Sequence, residues 1–88
     1  MKLTSLLRLI FMTAASVHAA SVPEQCAYKT KHGEKSVPAW TRKACRSALG
    51  DVFGRYNNIC CDVDQINAQA FDNSCKDSGG FSRTCVNQ

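Results

Sequence analysis

Two adjacent cysteines, Cys60 and Cys61, sit in the run Asn57-Asn58-Ile59-Cys60-Cys61-Asp62-Val63, and no other feature narrows the folding options of this chain as much. In an extended strand consecutive side chains point to opposite faces, so Ile59, Cys61 and Val63 share one face while Cys60 and Asp62 share the other. A bridge between neighbouring cysteines is strained. The two thiols are therefore expected to reach two different, distant elements, which makes this strand the central rung of a stapled fold. Cys26, Cys45, Cys75 and Cys85 supply the partners. An even number of cysteines reads as three disulfides, and spacing alone does not choose among the pairings.

The start of the chain has a different character. Lys2 and Arg8 frame a positive beginning, Leu6 to Ala15 form a short apolar run, and Val17-His18-Ala19 offers small residues at its end. That order reads as a secretory signal peptide over residues 1–19, cut between Ala19 and Ala20. The apolar run is too short to span a membrane. What remains is one domain, residues 20–88, whose export to an oxidising compartment suits disulfides. Without Lys2 and Arg8, nine basic residues face seven acidic ones, and the net charge falls from +4 to +2.

The exported part is poor in large apolar residues, with Leu49 as its only leucine. A core drawn from Tyr28, Trp40, Val52, Phe53, Tyr56, Ile59, Val63, Ile66, Phe71 and Phe81 leaves so small a domain marginal unless it is stapled. Each disulfide stabilises by about 2–4 kcal/mol, mostly by restricting the unfolded chain. Zinc is the competing use of clustered cysteine. No Cys-x-x-Cys pair exists, the doublet cannot turn both sulfurs to one tetrahedral ion, and His32 is the only histidine after the signal. No metal and no cofactor are expected.

Hydrophobic periodicity orders the elements. Residues 21–25 read as a loose polar leader. In 26–32, Cys26, Tyr28, Thr30 and His32 alternate with Lys29 and Lys31, which predicts a first strand with a basic outer face, placed at a sheet edge. Residues 38–53 predict a helix. Trp40, Ala44, Cys45, Ala48, Leu49, Val52 and Phe53 form its apolar stripe, Pro38 starts it and Gly54 stops it. Residues 55–63 read as a second strand, followed by a turn in which Asp64 or Asn67 caps a weaker helix over 68–78. Gly79-Gly80 closes that helix, and 81–86 reads as a last strand. A fourth strand has room within 55–65, but no turn marks it. The expected fold is α+β: a small disulfide-rich sandwich with two helices packed on an antiparallel sheet of three or four strands, Cys61 facing the helices and Cys60 turned away.

The order single, single, doublet, single, single is that of inhibitor cystine-knot toxins, but gaps of 18, 14, 0, 13 and 9 residues are longer than knottin loops. The helix carrying Cys45, the strand with Asn57-x-Ile59-Cys60-Cys61, and the closing Phe71-x-x-x-Cys75-x-x-x-Gly79-Gly80-x-x-x-x-Cys85 together make a fuller pattern. It resembles the small secreted cysteine-rich effectors of filamentous fungi, in particular those similar in fold to the killer-toxin subunits of smut fungi. Such proteins often carry eight cysteines, against six here. The resemblance implies an α/β sandwich and a role outside the producing cell or in a host. The Phe71–Gly79 spacing is also similar to that of hydrophobins, whose second doublet this chain lacks.

Little points to catalysis. The nearest constellation, His32 and Glu34 with a basic residue, has the residue types of a small ribonuclease, whereas the stretch itself reads as a solvated turn. Charge is uneven: residues 20–50 carry net +4 and residues 51–88 net −2. Lys29, Lys31, Lys35, Arg42, Lys43 and Arg46 thus form a basic region, with Trp40 beside them as core residue or binding anchor. The expectation is a monomeric, non-enzymatic secreted effector that binds a host protein or an extracellular or cell-wall component, modulating plant immunity or virulence. A membrane-active antifungal toxin acting on anionic lipid is the alternative, a ribonuclease the weaker one, and specific nucleic-acid binding is not expected.

Overall fold

The computed structural model describes residues 20–85; the expected signal peptide and Val86 lie outside them. Among these described residues, five strands and two helices follow one another as β1 (Ser21–Thr30), β2 (Gly33–Ser36), α1 (Pro38–Ser47), β3 (Asp51–Arg55), β4 (Asn58–Asp64), α2 (Ala68–Asp77) and β5 (Phe81–Thr84), with a 3-10 turn, Gln65–Asn67, leading into α2. All the strand pairs are antiparallel. Both helices lie on one face of the sheet, as expected, although the sheet has more strands than the three or four anticipated.

β1 is the axis of this sheet. Glu24 pairs with Cys61 of β4 on one side and with Thr84 of β5 on the other. Ala27 likewise pairs with Ser36 of β2 and with Phe81 of β5, so β4 and β2 follow one another along one side of β1 and β5 holds the opposite side. With β2 set aside, the order is βαββαβ and the strands lie β5-β1-β4-β3, the split-βαβ arrangement. This corrects two expectations. The leader 21–25 is not loose but forms the first half of β1, with Val22 opposite Val63 on the helix side. β1 is also no edge strand: Lys29 lies beyond the stretch shared with β4 and β5, in the part paired with β2, and Lys31 lies in the turn that follows. Pro23 fits because its carbonyl accepts from the Cys85 backbone N–H (2.8 Å) where the β5 ladder ends, so its missing donor interrupts nothing.

The first helix is shorter than its periodicity predicts. α1 stops at Ser47, Leu49 takes φ 57°, and Val52 and Phe53 belong to β3 instead of the apolar stripe. The cause is a crossing at Gly50. A Cβ there would lie 2.5 Å from Cys61 Sγ and 2.7 Å from the Asp62 carbonyl, so the chain can leave α1 and run back over the Cys45–Cys61 bridge only because this residue has no side chain. Gly54, expected to stop the helix, lies within β3. The turn missing from the sequence is Tyr56-Asn57, between paired Arg55 and Asn58.

Two disulfides join the layers, Cys26–Cys75 tying β1 to α2 and Cys45–Cys61 tying α1 to β4, while the third, Cys60–Cys85, lies on the sheet face away from the helices. The doublet thus reaches in two directions, as the strand alternation requires. Around the first two bridges, Ala44, Ala48, Val63 and Phe71 complete the buried core, with Val22 and Trp40 packed at its margin. α2 ends as expected, Gly79 and Gly80 donating to the Lys76 and Cys75 carbonyls. Asn67 occupies its N-cap position but makes no side-chain capping bond.

Candidate basic and aromatic surface

The corner where the β1–β2 hairpin meets α1 gathers most of the residues singled out from sequence. Thr30 Oγ1 accepts from the His32 backbone N–H (3.0 Å) and donates to the Gly33 carbonyl (2.8 Å), which fixes the turn and puts Lys31 at its tip. Val37 N donates to the Cys26 carbonyl (3.0 Å), and the Cys26 N–H donates to Oγ1 of buried Thr41 (2.9 Å). These two bonds clamp the start of α1 onto β1. Ser36 Oγ donates to the Asn57 carbonyl (2.6 Å), joining the hairpin to the β3–β4 turn. Between them lies an open recess lined by Tyr28, Lys35, Ser36, Val37, Pro38 and Asn57.

The predicted residues divide around this recess. Lys35 lines it and stands opposite Tyr28. Arg42 and Arg46 follow Pro38 at four-residue steps, so they continue one flank of α1 away from the recess. Trp40 and Lys43 lie on the other flank. Trp40 packs on Tyr28, with ring centroids 5.9 Å apart and planes inclined by 59°, and its ring covers Gly80, where no Cβ fits. The tryptophan is therefore a half-buried wall at the margin of the core, with part of its ring left open. Lys29 is separated from the others, because it stands opposite Glu34 on the face away from the helices. Among the described residues, none of the six predicted cations takes part in a salt bridge, the ion pairs being Lys76–Asp72 and Arg83–Glu34.

The helix-free face carries a polar cluster that sequence reasoning missed. Gln25 is fully buried; its amide donates to Asn58 Oδ1 (3.2 Å) and towards the Ile59 carbonyl (3.4 Å), and its Oε1 accepts from Arg83 Nε (2.8 Å). The Arg83 guanidinium also donates to Glu34 Oε1 (2.9 Å). The available signal was its place one residue before Cys26, which forces it onto the opposite face from that cysteine. Glu34 is thus held by Arg83, while His32 stays exposed in the hairpin turn, and no hydrogen bond joins the two.

On the helix side, Asp72 accepts from Ser82 Oγ (2.6 Å) and from Lys76 Nζ (2.9 Å), and these bonds hold its carboxyl below the ordinary value. Neighbouring Glu24 shifts the other way, first because burial disfavours its charge and second because Asp72 repels it. All six cysteines are in disulfides, and no group of His, Cys, Asp or Glu among the described residues is arranged to hold a metal ion. No helix among the described residues is long and apolar enough to cross a membrane. No protein-family model, curated protein or solved structure matches this chain.

Proposed function

We propose that the chain is a secreted cysteine-rich effector that binds an acidic host or extracellular target through the surface around the hairpin and α1. The observation that carries this reading is the set of cations without ion-pair partners among the described residues, Lys31, Lys35, Arg42, Lys43 and Arg46, arranged about the Tyr28–Trp40 aromatic pair. Exposed charges without a salt bridge inside the fold are available to an opposite charge on a partner. An aromatic surface held by packing offers contact area at low entropic cost. The three disulfides fit an oxidising, extracellular setting.

The test applies the oxidised protein in parallel to plant tissue, to competing fungi and to vesicles of anionic lipid, alongside a Lys35→Glu, Arg42→Glu, Lys43→Glu variant. The reading expects a tissue response that the charge-reversed variant loses, with no dye released from the vesicles. Salt-sensitive dye release would instead identify a membrane-active toxin. An unchanged tissue response from the variant would remove the basic surface from the mechanism.

A further inference from the structure

Among the described residues β3 forms one margin of the sheet, paired with β4 alone, and every one of its residues is exposed. Val52 and Phe53 keep 45% and 46% of their surface in water, a large apolar exposure in a chain with so few apolar residues. An edge strand presents a row of backbone donors and acceptors to any strand of matching pattern, and proteins usually blunt such edges with lysine, proline or a covering element. The middle of β3, Val52-Phe53-Gly54, has no lysine or proline, and its charges stand only at its ends.

Those ends are complementary to each other. Antiparallel pairing of β3 with a second β3 about a two-fold axis at Phe53 places Asp51 opposite Arg55 at both ends, Val52 opposite Gly54, and Phe53 opposite Phe53. Phe53 pairs with Cys60 and so lies on the helix-free face. Asp51 and Arg55, two positions away on either side, share that face with it. Neither Asp51 nor Arg55 is in a salt bridge among the described residues. The two other margins lack this symmetry. In β5, Arg83 is already engaged by Gln25 and Glu34, and in β2 the residues of opposite charge, Glu34 and Lys35, point to opposite faces. We propose that two copies of this chain associate through β3, joining their sheets into one, with a central phenylalanine pair flanked by two Asp51–Arg55 ion pairs. This departs from the monomer expected from sequence. The operator keeps faces matched, so the helices of both copies lie on the same side.

Sedimentation of the folded, oxidised chain over a concentration series tests this, with hydrogen exchange reporting on the β3 amides. A reversible dimer is expected, with β3 amides that slow as concentration rises. Phe53→Lys is expected to abolish it. Asp51→Arg and Arg55→Asp are each expected to weaken it about tenfold, because the two-fold axis makes every substitution count twice. An equimolar mixture of these two variants is expected to restore association, since each supplies the charge the other needs. A wild-type chain that stays monomeric throughout overturns the proposal, as does a dimer indifferent to Phe53→Lys or a mixture no stronger than its components. All three positions are exposed, and unchanged circular dichroism checks that the variants still fold.

Discussion

Gly50 is where one hydrogen atom decides the path of the chain. Its missing side chain lets β3 begin directly above the Cys45–Cys61 bridge, and both close neighbours, a disulfide sulfur and a backbone carbonyl, are held in place. Gly50→Ala is expected to destabilise by about 2 kcal/mol, the scale of overpacking in a rigid core, and a lowered urea midpoint would show it. Gln25 acts through polarity in place of volume. Gln25→Ala removes the amide that Arg83 and the β4 backbone share, and an expected loss of about 1–3 kcal/mol by the same measurement reflects the partners left buried and unpaired. Glu24 and Asp72 set the pH dependence with opposite signs. Asp72, held low, contributes stability that is present above its ordinary value of 3.8 and is lost as pH falls through its lowered one. Glu24, held high, favours the folded state below its ordinary 4.5, and that contribution is lost as pH rises through its raised value. Thermal melts should therefore show Glu24→Gln more stable than wild type at neutral pH, with the two converging in acid. Asp72→Asn should be less stable at neutral pH and also converge in acid.

Among the elements, α2 and the closing Gly79-Gly80 were legible, because Phe71 and Cys75 both mark the buried face and the glycines have no other use there. α1 was legible at its start and not at its end. Val52 and Phe53 fall at helical spacing from Ala48 and Leu49, so periodicity carried the expected helix through a region where the chain has already turned back. The steric reason for the stop, a sulfur of the distant Cys61, is tertiary and leaves no local mark. β2 was hidden because Gly33-Glu34-Lys35-Ser36 has no apolar side chain to alternate, and its place comes from the turn that Thr30 builds. The disulfides rank the elements by what they hold. Cys26–Cys75 closes a separation of 49 residues and Cys45–Cys61 one of 16. Loop-closure entropy makes removal of the first pair, as Cys26→Ala with Cys75→Ala, costlier than removal of the second by about 1 kcal/mol. Guanidinium unfolding of the two double variants measures the difference.

At the scale of the whole molecule, the basic region could be read from sequence as composition but not as a surface. Charge counts pointed to residues 20–50, yet only the strand register separates Lys29, on the helix-free face, from Lys35, which stands beside the recess. Tyr28 and Asn57, which complete that recess, gave no signal, since one reads as a core residue and the other as part of a strand. If the sheets join at β3, the α1 surfaces of two copies face the same way, and a partner bearing two acidic patches is gripped twice. The neighbouring cysteines have a further consequence for how the chain reaches this state. A β4 slid by one residue would turn Cys60 towards α1 and Cys61 towards Cys85, closing the swapped pairs Cys45–Cys60 and Cys61–Cys85. Peptide mapping of a refolding mixture is expected to find that swapped form as the main by-product. The doublet is therefore a parity check on the sheet: native connectivity certifies that β4 was aligned when the bonds closed, and a misaligned strand carries its error as a covalent record.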